Sequence, residues 1–213
     1  MKNLMIIGDS YSTFDGYIPK GYAVYYSKAK REGNDVNNVS DTWWHKLAKK
    51  ADLNVILNDS WSGSTVGYTG YGGADCRLTS SFIYRFEKYY REGFFDANKI
   101  DTLLIFGGTN DSWANVKLGE IKLDSCEEGD LYTVLPAICH IIRRAKEVLP
   151  GTRIIYIINC DIKPEIGDAV KSASAHYGTE YVELHGVTKV NGHPTSKGMG
   201  EICDAVLSVL TKS

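Results

Sequence analysis

The sequence lacks the features that define several large classes of protein. Its 24 basic residues are balanced by 26 acidic residues, so the net charge is only −2. Such a chain offers no electrostatic basis for binding nucleic acid or an anionic membrane. No apolar run approaches the length that spans a bilayer, and the short N-terminal run has no signal cleavage site. We therefore expect a cytoplasmic protein without nucleic-acid or membrane partners.

Cysteine is scarce as well. The five cysteines are odd in number, lie far apart and form no CxxC pair. Neither a disulfide framework nor a zinc site is indicated, and we expect free thiols in a reducing compartment. The sequence also has no P-loop lysine and no GxGxxG fingerprint, so we predict neither a metal nor an organic cofactor.

What is present is the composition of a globular domain. The 213 residues fit one domain over residues 1–213, and a hydrophobic content of 43% is sufficient for a sizeable core. Apolar runs that predict strands alternate with patterns that predict helices, which indicates a parallel sheet with helices on both faces. The predicted strands are residues 4–7, 53–57, 102–106, 153–158 and 179–184. The first predicted helix begins near Ser40 or Asp41, either of which can cap it. The other predicted helices span residues 82–90, 131–148, 166–177 and 196–210.

Ser10 is a candidate nucleophile. It follows the first predicted strand in the turn Gly8-Asp9-Ser10. Ligands in parallel α/β sheets bind beyond the carboxyl ends of the strands, so reactive residues are expected at such positions. A serine hydroxyl attacks only when a base takes its proton. A turn of this composition is also typical of a simple helix cap.

His193 is the candidate for that base. It lies just before the last predicted helix, where Pro194 restricts the backbone. His185, at the end of the fifth predicted strand, is its only rival, because the other histidines lie in or near predicted helices. A lone histidine is more often a surface or core residue, so the case for His193 depends on its position at the same rim as Ser10.

Two further residues that follow predicted strands are candidates for stabilising an oxyanion. Asn110 stands in Gly107-Gly108-Thr109-Asn110-Asp111, and its side-chain N–H can donate to negative charge that develops in a transition state. Gly63, after the second strand, can offer its backbone N–H. An Asx turn at Asn110 and an ordinary loop glycine at position 63 are the alternatives.

Together these segments resemble the four blocks of the SGNH hydrolases, also called GDSL esterases and lipases. The blocks are Gly8-Asp9-Ser10, Gly63, the GGTND segment at 107–111 and His193-Pro194, and they cover nearly the whole chain. The resemblance implies a flavodoxin-like three-layer α/β/α sandwich with a five-stranded parallel sheet. It also implies cofactor-free acyl-ester hydrolysis, with Ser10 as nucleophile and His193 as base.

The same resemblance implies an oxyanion hole made by the backbone N–H groups of Ser10 and Gly63 and the side chain of Asn110. Asp9 would support the turn and would not react. Tyr11 replaces the leucine of the GDSL motif, a position whose side chain does no chemistry.

A second departure from the family pattern concerns the acid of the triad. Val190 stands three residues before His193, where these families usually carry an aspartate, and valine cannot accept the histidine N–H. The site can run as a Ser10–His193 dyad oriented by a backbone carbonyl, or use Asn191 weakly. It can also take an acid from another strand end, and the candidates are Asp161 and then Glu183. Loss of activity is the remaining alternative.

The expected substrate is a small-molecule ester or an acylated carbohydrate. Residues 15–39, residues 61–79 and Trp113 are expected to cover the site, and aromatic rings edged with hydroxyls suit sugars or short acyl groups on polar alcohols. These loop aromatics can equally pack the loops onto the body; they are Tyr17, Tyr22, Tyr25, Tyr26, Trp61, Tyr68 and Tyr71. A non-catalytic flavodoxin-like ligand-binding or interaction module is the alternative function.

Overall fold

A five-stranded parallel sheet forms the centre of the protein, which is described by a computed structural model over residues 1–29 and 32–212. The strands are β1 (Lys2–Gly8), β2 (Leu53–Ser60), β3 (Thr102–Phe106), β4 (Arg153–Ile158) and β5 (Glu180–Glu183). Their spatial order is β2-β1-β3-β4-β5, and every neighbouring pair is parallel. This is the flavodoxin-like order, and the predicted three-layer α/β/α fold is confirmed.

Helices cover both faces of the sheet. They are α1 (Trp43–Lys50), α2 (Phe82–Arg91), α3 (Phe94–Ala97), α4 (Thr109–Trp113), α5 (Val134–Val148), α6 (Pro164–Tyr177) and α7 (Ser196–Leu210). Side chains alternate between the two faces of a strand, so β1 contributes residues to the hydrophobic core on each side of the sheet. Met5 and Ile7 pack in the cluster that includes α2, α5 and α6. Leu4 and Ile6 pack in the cluster that includes α1 and α7.

The observed ends of a strand or helix agree closely with the predicted ends where a single apolar pattern runs through the whole element. Strands β3 and β4 and helix α7 have the predicted limits. The predicted cap of α1 was wrong, because residues 39–41 form a separate 3-10 turn and Thr42 caps the helix. Strand β2 continues three residues beyond its predicted end, to Ser60.

A small hairpin outside the main sheet precedes α7. Strand β6 (Lys189–Val190) pairs in antiparallel register with β7 (His193–Pro194). The two linking residues, Asn191 and Gly192, have φ angles of +51° and +76°, as a type I′ turn requires. A Cβ on Gly192 would also lie 3.0 Å from the Trp113 ring.

Among the residues described, no helix is both long and apolar enough to cross a membrane.

Candidate active site

Ser10 lies directly beyond β1, an interior strand of the sheet. It begins a 3-10 turn that runs to Ser12, and only 3% of its surface is exposed. Asp9 is the residue that caps this turn, because its Oδ1 accepts the N–H of Tyr11 at 3.0 Å. The capping function is therefore performed by Asp9 and leaves the Ser10 hydroxyl available for another partner.

That partner is His193. Its Nε2 lies 3.1 Å from the Ser10 Oγ. Its Nδ1 lies 3.2 Å from the carbonyl oxygen of Asn191. A carbonyl only accepts hydrogen bonds, so this contact requires the proton on Nδ1, and in the neutral imidazole Nε2 is then unprotonated towards Ser10. The structure thus brings together the two residues that the sequence singled out first, with the ring in the tautomer that a general base needs.

The imidazole of His193 is also fixed by its aromatic neighbours. The Tyr25 ring is stacked on it, with centroids 3.5 Å apart and planes 5° apart. Trp113 meets it edge-on at 5.8 Å. A parallel aromatic face favours the imidazolium that forms when the histidine accepts a proton.

Asp161 is not brought to the histidine. Its carboxylate pairs with the Lys189 ammonium at 2.7 Å, and its side chain is 66% exposed. The hydrogen bond from Lys189 lowers the pKa of Asp161. Glu183 is likewise engaged elsewhere, with Lys171 at 2.9 Å. The Asn191 carbonyl faces the His193 Nδ1, which is the arrangement of the Ser10–His193 dyad alternative. The role of Asp161 as the acid partner of His193 stays a prediction.

Gly63 lies in the turn that follows β2. Its φ of +81° is in the left-handed region that favours glycine. The turn is attached to β1, the strand that precedes Ser10, because the Trp61 N–H donates to the Gly8 carbonyl at 3.1 Å. The Ser64 N–H in turn donates to the Trp61 carbonyl at 3.1 Å. These bonds hold the Gly63 backbone beside the Ser10 turn.

Asn110 lies in the first turn of α4, and its side chain is almost fully buried. Its Nδ2 donates to the Ser64 carbonyl at 2.9 Å, and its Oδ1 accepts the Tyr71 hydroxyl at 2.9 Å. Gly108, and not Asn110, occupies the cap position of α4, so the Asx-cap alternative does not apply. The amide is held at both ends, and its NH₂ group has a second N–H beyond the one that the Ser64 carbonyl accepts.

Arg85 is a residue that the sequence reading missed. It is fully buried, and its guanidinium pairs with the Asp59 carboxylate at 2.5 Å. The same guanidinium donates to the Gly8 carbonyl at 3.1 Å and to the Ser64 Oγ at 3.2 Å. Arg85 therefore joins the ends of β1 and β2 to the Gly63 turn. The sequence held no local signal for it, since these partners lie 21 to 77 residues away.

Two buried carboxyl groups lie beneath the site. Burial raises the pKa of Asp9 to about 7, and the neighbouring Asp111 charge adds to the increase. Burial raises the pKa of Asp111 to about 6, although backbone N–H groups of Val66 and Gly67 oppose it. No cluster of three His, Cys, Asp or Glu side chains within residues 1–29 and 32–212 is arranged to hold a metal ion.

The loop aromatics divide into two groups. Tyr25, Tyr71 and Trp113 contact candidate catalytic residues. Tyr17 packs on Phe14 and Trp44, and Tyr68 packs on Tyr132. Some of these rings therefore contact candidate catalytic residues, and others pack the loops onto the body of the protein.

Comparison with known proteins identifies the family of this chain. A family model for GDSL-like lipases and acylhydrolases matches residues 2–210. The chain belongs to this family. A candidate GDSL-like lipase from Bacteroides ovatus is 36% identical, with a TM-score of 0.91, and the match covers 100% of this chain and 99% of that one. A second, from Bacteroides uniformis, is 35% identical, with a TM-score of 0.91 and coverage of 100% and 97%. Membership of the GDSL-like family supports ester hydrolysis in general.

More distant structures share the fold of this GDSL-like protein. An acetyl xylan esterase from Butyrivibrio proteoclasticus is 16% identical, with a TM-score of 0.63 and coverage of 98% of this chain and 63% of that one. A family two carbohydrate esterase from Clostridium thermocellum is 13% identical, with a TM-score of 0.67 and the same coverage. A search of curated proteins found no significant match.

Proposed function

We propose that this protein is a serine esterase in which Ser10 is the nucleophile and His193 the general base. The observation that carries the proposal is the 3.1 Å contact between the Ser10 Oγ and the His193 Nε2. Nucleophile and base must lie within about 2.6–3.2 Å for direct proton transfer. The Asn191 carbonyl supports the tautomer that this transfer requires.

The proposed reaction has two stages. In the first, His193 Nε2 takes the Ser10 proton while Oγ attacks the ester carbonyl, and the imidazolium then protonates the leaving alcohol. In the second, His193 activates a water that attacks the acyl-Ser10 ester, and Ser10 leaves with its proton restored. The Tyr25 ring stacked on the imidazole stabilises the imidazolium in both stages.

The negative charge on the carbonyl oxygen would be stabilised by three N–H groups. They come from the backbone of Ser10, the backbone of Gly63 and the side chain of Asn110. Support comes from the bond of Asn110 Nδ2 to the Ser64 carbonyl, which holds the amide next to the Gly63 turn. Donors fixed before the reaction need no reorganisation when the charge appears.

The substrate is inferred to be a short-chain or acetyl ester of a carbohydrate or similar polar alcohol. Trp113 and Tyr71 are 40% and 47% exposed and contact His193 and Asn110 respectively. A flat apolar ring and a ring with a hydroxyl suit the faces and hydroxyl groups of a sugar. Two structures of the same fold are an acetyl xylan esterase and a carbohydrate esterase, which agrees with this inference.

The first test is turnover of p-nitrophenyl acetate and butyrate by the wild type, Ser10→Ala and His193→Ala. We expect a rapid acylation burst in the wild type, none in Ser10→Ala, and a kcat about 10²–10⁴-fold lower in His193→Ala. Ser208→Ala and His185→Ala are matched controls, because both residues are exposed. Wild-type turnover no faster than that of Ser10→Ala would instead favour the non-catalytic binding module.

The oxyanion contribution is tested with Asn110→Ala. We expect kcat to fall about 10²–10³-fold with little change in KM, because the donor acts on charge that exists only in the transition state. Asn98→Ala is the control, since the Asn98 amide also donates to a backbone carbonyl, that of Phe94, at 2.9 Å. Equal kcat values for the two variants would remove Asn110 from the oxyanion hole.

A further inference from the structure

Tyr11 connects the nucleophile turn to the hairpin that carries the histidine. It follows Ser10 directly, and its N–H donates to the Asp9 Oδ1 at 3.0 Å. Its hydroxyl donates at 2.5 Å to the carbonyl of Gly192, which lies 181 residues later in the sequence. One residue therefore bonds both the turn of Ser10, through its backbone N–H, and the residue immediately before His193, through its hydroxyl.

Burial and aromatic contacts hold the Tyr11 ring in the position from which its hydroxyl binds the Gly192 carbonyl. The side chain is fully buried, with Phe106 edge-on at 5.7 Å and Trp113 edge-on at 6.3 Å. Burial raises the pKa of the hydroxyl to about 12, although the Lys189 ammonium nearby opposes this. The hydroxyl thus keeps its proton, and its ability to donate, throughout the neutral and mildly alkaline range.

The backbone on the other side of His193 is held in the same way. The hydroxyl of Tyr26 donates to the Pro194 carbonyl at 2.8 Å. Tyr26 is also fully buried, and its ring lies edge-on to Tyr25 at 4.8 Å. The two carbonyls that flank His193 in sequence are therefore both bound by buried tyrosine hydroxyls.

Strand pairing alone leaves the hairpin weakly fixed. It has two residues in each strand and does not join the five-stranded sheet. Its position relative to Ser10 therefore depends on side-chain contacts from the rest of the protein. A misplacement of about 1 Å in a reacting group can lower a rate 10²-fold.

We propose that Tyr11 is a positioning residue that sets the distance between Ser10 and His193 by binding the Gly192 carbonyl, with Tyr26 holding the opposite side of the hairpin. This inference rests on the proposed roles of Ser10 and His193. Tyr11 replaces the leucine of the GDSL motif, which has no hydroxyl for this bond. The residue after the nucleophile thus acts on the base, without touching the substrate.

The test is Tyr11→Phe, which removes only the hydroxyl. We expect kcat for p-nitrophenyl acetate to fall about 10- to 100-fold, with KM within about twofold of wild type. Tyr177→Phe is the matched control, because the Tyr177 hydroxyl also donates to a distant backbone carbonyl, that of Leu123. A purely structural role would lower the melting temperature in both variants and leave kcat unchanged in both.

The outcomes separate this inference from the proposed function. No Ser10-dependent turnover in the wild type would overturn both. Ser10-dependent turnover together with a wild-type kcat in Tyr11→Phe would overturn the positioning role alone. If circular dichroism shows that Tyr11→Phe does not fold, Tyr26→Phe must lower kcat at constant KM, and a wild-type kcat there would overturn the inference.

Discussion

The two halves of the candidate catalytic pair are held in different ways. Ser10 stands at the end of the interior strand β1, and the buried Arg85 joins the backbone at Gly8 to the neighbouring strand end. His193 stands on a six-residue hairpin outside the sheet, and tyrosine hydroxyls and ring stacking hold it. The candidate nucleophile is thus positioned by the fold, whereas the candidate base is positioned by individual side chains. Substitutions near Ser10 should mainly lower the free energy of unfolding, whereas substitutions near His193 should mainly lower kcat.

The largest expected effect is on the Ser10 side. Arg85→Met leaves the Asp59 carboxylate buried without its partner, and breaking such a pair costs about 3–5 kcal/mol of the free energy of unfolding. Guanidinium denaturation followed by circular dichroism measures it. Arg143→Met is the control, because the pair of Arg143 with Glu147 is on a helix surface and is worth about 0.3–0.5 kcal/mol. Equal losses in the two variants would contradict the central role of Arg85.

An intermediate effect concerns Asp9. Because burial raises the pKa of Asp9 to about 7, well above the ordinary value of about 3.8 for an aspartate, folding favours the protonated carboxyl. The stability from this preference is complete below about pH 4 and is lost as the pH rises through 7. We expect Asp9→Asn to remove this loss, which between pH 5 and 8 amounts to about 2–3 kcal/mol. Thermal unfolding of both proteins across that range measures the difference.

Asp130→Asn is the control for this pH dependence. The hydrogen bond from Lys122 lowers the pKa of Asp130, so its contribution changes only below about pH 4. Its stability profile between pH 5 and 8 should follow that of the wild type. Parallel profiles for wild type and Asp9→Asn would show that Asp9 does not titrate in this range.

The smallest expected effect is on the His193 side. Asp161→Asn weakens an exposed pair with Lys189, and exposed pairs contribute about 0–1 kcal/mol. We expect kcat to change less than about fivefold, which is equivalent to that energy. A true acid partner of the histidine would instead lower kcat about 10⁴-fold on this substitution. Glu183→Gln, which weakens the comparable pair with Lys171, is the matched control.

The sequence predicted the sheet well because local composition determines it. The runs at β3 and β4 are continuous and apolar, and both were predicted to the residue. The short elements were missed because two to five residues are too few to show a period. The Asn191-Gly192 dipeptide is a hairpin signal, but no alternating strands flank it to support that interpretation.

The site residues divide in the same way, into those that the local sequence predicts and those that depend on tertiary contacts. Ser10, Gly63 and Asn110 follow strands, so the parallel topology alone brings them to one edge. The hydroxyl bond from Tyr11 to Gly192 and the guanidinium bonds of Arg85 join residues far apart in the chain. Such contacts depend on the tertiary packing of particular side chains, and no local pattern at either residue indicates them.

The hairpin at residues 189–194 also has a consequence for heat inactivation. Segments with few cooperative contacts open locally at a smaller free energy than the whole protein needs to unfold. Two residues of pairing per strand place this hairpin among them, while β1 is an interior strand of the sheet. We therefore expect catalysis to fade on warming while the sheet is still intact, and to return on cooling. The temperature range of the enzyme would then be set by six residues near the C-terminus and not by the melting of its core.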